Sequence, residues 1–224
     1  VYVGAFWRIE TSHERWAWPI AKADFTPETV DLEAAERFFT NWRNWSFERG
    51  QGVGDDGFVL VPLQGRLLEH RSFQSMSPLE MLEETLARTD VPVLATLHPR
   101  ESYGKEELAA LDALCARMLR LEVARGVSEL TLKRCSHVVT QNSSLAFQGY
   151  FLEKPAILFG EIDFHHIAGS VPRDGLEAAF HLNGGLPEFA RYLHWFLTTG
   201  TVNAGNEDFD ETLPAKLREH GWQI

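Results

Sequence analysis

The segment from Val138 to Gly160, VVTQNSSLAFQGYFLEKPAILFG, constrains the fold more than any other part of the chain. Val138–Val139 is apolar and β-branched, Gln141–Ser144 is a polar turn, Ser144–Leu152 has helical spacing, and Ala156–Phe159 is a second apolar run. A strand, a short helix and a strand in succession make a parallel crossover, the repeating unit of an open α/β sheet. The polar turn then lies at the carboxyl end of a buried strand and the amino end of a helix, where such sheets bind ligands. The first turn of a helix has N–H groups without helical partners and the positive end of its dipole, which suits phosphate. Capping needs only one residue, whereas Asn142, Ser143 and Ser144 stand in a row. An anionic, phosphorylated ligand is therefore expected at this turn.

The same alternation runs back to residue 58. Phe58–Leu63 and Val91–Leu97 are apolar runs of strand length. Ser77–Leu86 reads as a helix, with Ser77 as N-cap, Pro78 in first position and Glu80 placed for a capping box. Lys105–Gly126 reads as one long helix ended by its glycine, and Ser128–Arg134 as a short one. Strands without polar alternation suit a parallel sheet covered on both faces. The expected fold class is α/β, a Rossmann-like open parallel sheet with flanking helices.

Residues 1–50 carry five of the seven tryptophans, and Asp31–Phe47 has the spacing of an amphipathic helix. Its apolar stripe packs on a core or forms an acceptor or domain contact. Gly50–Gly57 reads as a loop, and residues 187–224 as aromatic helices that pack across the sheet or back onto residues 1–50. Three regions are expected: a helical aromatic segment 1–50, a Rossmann-like domain 51–186, and helices from 187 to 224. A net charge of −11 argues against general binding to nucleic acid or anionic membranes. No apolar run approaches the roughly 20 residues of a membrane span. Residues 1–20 lack the apolar core of a signal peptide, and Cys115 and Cys135 form no disulfide framework; a cytoplasmic protein with reduced thiols is expected.

Four places at strand ends carry candidate chemistry. His98-Pro99-Arg100 follows one strand, and a histidine held by proline can face a ligand crevice while Arg100 adds a fixed positive charge. Gln64 follows the neighbouring strand, and Asn142–Ser144 a third. Glu161 and Asp163 come after the last strand of the unit, in reach of a ligand hydroxyl or in a solvated loop. Each residue alone is accounted for by an ordinary turn or cap; the common placement of the first three at carboxyl ends makes them one candidate site, with Glu161 and Asp163 apart from it. His165-His166 has no carboxylate or thiol at a ligand spacing, and no metal is expected. No P-loop, GxSxG elbow or dinucleotide fingerprint is read in the chain, which counts against those enzyme classes.

In order, VPLQ (Val61–Gln64), LHP (Leu97–Pro99), NSS (Asn142–Ser144) and EKPAILFG (Glu153–Gly160) resemble motifs of the capsule polysaccharide biosynthesis and export glycosyltransferases. That family includes Kdo transferases that use CMP-Kdo. The HP and serine pair is also similar to that of bacterial sialyltransferases and polysialyltransferases, and Phe189–Trp195 looks like the family's tail. The resemblance implies half of a GT-B fold, the half that binds the nucleotide-sugar donor (CMP-Kdo or a similar CMP- or UDP-sugar). It implies that His98 contacts the donor phosphate, with Ser143 and Ser144 binding it through hydroxyls and the helix end. Gln148 stands where many GT-B enzymes have a glutamate on the ribose, a departure from the pattern. It further implies a glycan or glycolipid acceptor, no cofactor besides the donor, and peripheral contact with the inner face of the membrane. A chain of 224 residues is too short for two full Rossmann-like domains, so it is a donor-binding half or a shortened enzyme. The alternative class is a non-catalytic nucleotide or phospho-sugar binding module of a polysaccharide assembly machine.

Overall fold

The computed structural model describes residues 4–47, 52–181 and 188–223. The expected boundaries at 50/51 and 186/187, and the ends of the Gly50–Gly57 loop and Pro187 helix that fall there, lie outside the described residues. In chain order the elements are β1 (Phe6–Trp7), α1 (Pro19–Lys22), α2 (Leu32–Ser46), β2 (Val59–Leu63), α3 (Pro78–Arg88), β3 (Val93–Leu97), α4 (Lys105–Arg117) and β4 (Leu121–Arg125). They continue with α5 (Glu129–Arg134), β5 (His137–Thr140), α6 (Ser144–Tyr150), β6 (Ala156–Leu158), β7 (Gly169–Ser170), α7 (Val171–Asp174) and α8 (Leu176–Phe180). The last are α9 (Phe189–Thr198), β8 (Val202–Asn203) and α10 (Phe209–Glu219).

Strands β2 to β7 form one parallel sheet in the order β4-β3-β2-β5-β6-β7. Counted from β2, this is the 3-2-1-4-5-6 order of the doubly wound fold, which reverses direction between β2 and β5. Alternate residues of each strand enter opposite cores. Leu60, Val138 and Leu158 pack with α6 and α9, while Val59, Val61, Val139 and Ile157 pack with α3 and α4. Both faces are therefore covered, which is why the strands show no polar alternation.

The first core is unusually aromatic. Phe147, Tyr150, Phe164, Tyr192 and Phe196 are fully buried and meet at centroid distances of 5.2–6.3 Å. Each such side chain removed from water stabilises the fold by roughly 1.5–3 kcal/mol. Helix α2, capped by Asp31 accepting from the Ala34 N–H, packs against α9 through Phe38 and its neighbours. The aromatic stripe of α2 thus packs onto the helical layer, α9 and the end of α6, that covers one face of the sheet. β1 pairs antiparallel with β8, tying the two ends of the chain together. Ser77 and Glu80 form the expected capping box on α3.

Two expectations are corrected. Lys105–Gly126 is not one helix: α4 stops at Arg117, and Leu121–Arg125 forms the edge strand β4, whose register with β3 runs from Val93↔Leu121 to Leu97↔Arg125. Gly126, at φ 78°, ends that strand instead of the helix. Nor is Ala156–Phe159 the last strand, since β7 pairs beside it. In addition, the spacing Gly52-x-Gly54-x-x-Gly57 matches a dinucleotide fingerprint, but it precedes β2. There the Gly54 and Asp56 N–H groups donate to the carbonyls of Lys133 and Arg134, at the end of the sheet opposite to the one that binds ligands.

Candidate active site

The parallel register decides what stands at the carboxyl edge. β2 and β3 pair Leu63 with Leu97, β3 and β4 pair Leu97 with Arg125, and β2 and β5 pair Leu60 with Val138. Just beyond the strands, the same registers align Asn142, two residues past β5, with Gln64, His98 and Gly126, each one residue past its own strand. The reversal of strand order falls between Asn142 and Gln64, the place where the crossovers diverge and leave a crevice.

A cleft of about 260 Å³ opens over this row, lined by Gln64, Thr96, His98, Asn142, Ser143 and Ser144 together with Arg15 from the amino-terminal segment. A wider outer cleft of about 620 Å³ shares Gln64, His98 and Asn142 and adds Arg66, Arg71, Phe73 and Glu101. Gln64 bridges the crevice, donating from Nε2 to Asn142 Oδ1 at 2.9 Å and accepting from Arg71 Nη2 at 3.2 Å. Arg71 lies 4.8 Å above the Phe73 ring, and Trp16 stacks on Phe73 from the other chain segment.

His98 is exposed. Its backbone N–H donates to the Tyr103 hydroxyl, and its Nδ1 accepts from the Arg100 N–H at 3.2 Å. That second bond uses Nδ1 as the acceptor and leaves Nε2 as the ring nitrogen turned to other partners. Ser143 is the N-cap of α6, its hydroxyl accepting from the Leu145 N–H, and Ser144 is the exposed first residue of that helix.

The other expected site residues stand elsewhere. Arg100 is exposed in the turn after His98, and Gln148 lies a full helical turn beyond Ser144; neither lines the cleft. Glu161 lines a separate cavity of about 140 Å³ with Trp16, His165 and Arg173. Asp163 is not in a solvated loop: its side chain is fully buried, 2.8 Å from Arg15 Nη2. Burial pushes the Asp163 carboxyl up to about 8, and the adjacent guanidinium opposes that rise. Burial also lowers Arg15 to about 10, still far above neutrality, so its charge persists. His165 and His166 stack on each other and bond to the Ala21 and Ala23 carbonyls, fastening the amino-terminal segment to the sheet. Among the described residues, no three His, Cys, Asp or Glu side chains gather as metal ligands do. No helix among them is long and apolar enough to cross a membrane.

Sequence reasoning missed Arg15, Arg71 and Thr96. Arg15 belongs to a segment with no strand or motif around it, and its partner is 148 residues away.

No protein-family model matches the sequence, and no curated protein does. Among solved structures, the chain is similar to KpsC of Thermosulfurimonas dismutans, a beta Kdo 2,7 transferase, with a TM-score of 0.53 at 15% identity. The match covers 91% of this chain and 66% of that one. The fold is thus a Rossmann-like open α/β sheet of the kind that structure also has.

Proposed function

We propose that the cleft at the strand-order reversal holds the phosphate of a nucleotide-activated sugar. On this reading the chain is a glycosyltransferase, or the donor-binding domain of one, of the capsule polysaccharide biosynthesis type. The donor is CMP-Kdo or a similar CMP- or UDP-sugar, the acceptor a glycan or glycolipid, and the setting bacterial surface polysaccharide synthesis on the cytoplasmic side. No cofactor besides the donor enters.

The observation that carries this reading is the row Asn142–Gln64–His98 at the reversal, with Ser143 and Ser144 opening one helix beside it. Sugar transfer leaves negative charge on the departing nucleotide phosphate. Fixed N–H and hydroxyl donors and a cation aimed at that charge lower the barrier without reorganising. The likeness to KpsC supports a fold of the kind such chemistry uses.

One observation favours the binding-module alternative: no carboxylate lines the inner cleft, which leaves His98 as its one ordinary proton acceptor. Calorimetric titration of the chain with CMP, UDP and the free sugars tests the shared core of both readings. Saturable binding of a nucleotide, abolished in a Gln64→Ala/Asn142→Ala variant that stays folded, is expected. Absence of binding at millimolar nucleotide rules the reading out. Slow hydrolysis of a bound nucleotide-sugar separates the enzyme from the module.

A further inference from the structure

The amino-terminal segment completes the cleft with a cation that the sheet itself does not supply. Among the residues lining the inner cleft, Arg15 is the one arginine, and no lysine lines it. Its guanidinium is held on several sides. Nε and Nη2 both meet Asp163 Oδ1, at 3.1 and 2.8 Å, and the group lies 5.5 Å over Phe164 and 5.7 Å over Trp18. Exposure is divided unequally within the pair: the Asp163 side chain is at 0% and the Arg15 side chain at 30%. Next to Arg15, Trp16 stacks on Phe73, whose other neighbour is Arg71 of the outer cleft. The segment is therefore fastened to both parts of the cleft.

A carboxylate buried to this degree gives up its hydration, and apolar residues of the same volume often hold a fold as well. What a buried carboxylate does that an apolar residue does not is fix the direction of a guanidinium. We propose that Arg15 is a ligand-binding residue for the phosphoryl group of the nucleotide, and that Asp163 is its positioning residue. This rests on the cleft being the phosphate site. It goes further by assigning the main cation to a segment outside the sheet, with its direction set by the pair it makes with Asp163. The planar fork, with one edge on Asp163, suits a phosphate better than a lysine would, because its geometry is set before the ligand arrives.

The test uses the full chain, with CMP, inorganic phosphate and cytidine as probes in calorimetry. Arg15→Gln should weaken CMP at least 10-fold and leave cytidine within twofold of its wild-type affinity. Because Arg15→Gln leaves Asp163 buried and unpaired, Arg15→Gln/Asp163→Asn is measured beside it. This neutral pair keeps a hydrogen bond in place and should show the same selective loss. Asp163→Asn alone keeps the charge of Arg15 but releases its orientation, and CMP should weaken several-fold. If Asp163→Asn binds CMP equally or more tightly, Asp163 is a counter-charge and its positioning role is overturned. Wild-type affinity for CMP retained in both Arg15 variants overturns the assignment of Arg15 while leaving the phosphate site standing. A wild-type chain that binds neither CMP nor phosphate overturns the phosphate site itself, and Arg15 with it.

Discussion

Removing Arg15 should destabilise the protein in a way that depends steeply on pH. In Arg15→Met the apolar part of the side chain is kept and the charge is lost, leaving Asp163 fully buried without its counter-charge. A buried pair broken in this way costs roughly 3–5 kcal/mol when the remaining charge has no escape. Asp163 has one, because it can take up a proton. Burial raises its carboxyl above the ordinary value of 3.8, and in the variant no guanidinium opposes that rise. Between the ordinary and the raised value the folded state binds more protons than the unfolded state, so the variant loses stability as pH rises, by up to about 1.4 kcal/mol per pH unit. At pH 8 the variant should be less stable than the wild type by about 3 kcal/mol or more. At pH 5 the difference should shrink to about 1 kcal/mol, the packing and hydrogen bonds lost with the guanidinium. Urea unfolding of both proteins at pH 5, 6, 7 and 8, followed by tryptophan fluorescence, gives the difference directly. A loss of equal size at every pH would mean that Asp163 is not an isolated buried charge once Arg15 is gone, and the account of this pair would fail.

Three further outcomes follow from individual contacts. Gly169→Ala places a methyl group 2.0 Å from the Ala179 carbonyl oxygen, a backbone atom that cannot step aside; a loss of about 2–4 kcal/mol in urea is expected, and a loss below about 0.5 kcal/mol would show that α8 shifts freely away from β7. His137 is lowered by burial to about 4, so the folded state binds fewer protons than the unfolded one between about 6.5 and 4, and its stability contribution is lost as pH falls through that window. His137→Gln should flatten the acid limb of a thermal-melting profile, and an unchanged limb would assign acid sensitivity to other groups. Ser143→Ala/Ser144→Ala removes one cap, which holds the Leu145 N–H at 3.3 Å, and should cost only about 0.5–1 kcal/mol, or a few degrees in Tm, while CMP affinity falls; a large drop in Tm with affinity intact would make both serines structural.

The central fold was legible because parallel strands buried on both faces announce themselves as continuous apolar runs. Val59–Leu63, Val93–Leu97 and Val138–Thr140 each lie between turn residues or helix caps. β4 was lost because its sequence, Leu121-Glu122-Val123-Ala124-Arg125, is made largely of helix formers and follows α4 without glycine or proline between. As an edge strand it buries little beyond Leu121, so no apolar run marks it, and Leu119, an apolar residue almost wholly exposed in the turn, hides the break. β7 has two residues, too few for any periodicity.

The site divides along the same physical line. In a doubly wound sheet, the first one or two residues after each buried strand are brought to one edge by topology, so counting along the sequence is enough to collect Gln64, His98 and Asn142. The rule weakens with each residue past the strand end. Arg100, two residues beyond His98, has already turned outward, and Gln148 is carried off by a full turn of α6. It says nothing of Arg15, which comes to the cleft through tertiary packing alone: Trp16 on Phe73, Arg15 on Asp163, and Ala21 and Ala23 on the paired histidines. A local pattern records which residues share an edge or a face. The partner of a buried charge is recorded nowhere near it, so the cation of this cleft became visible only when the chain closed over its own sheet.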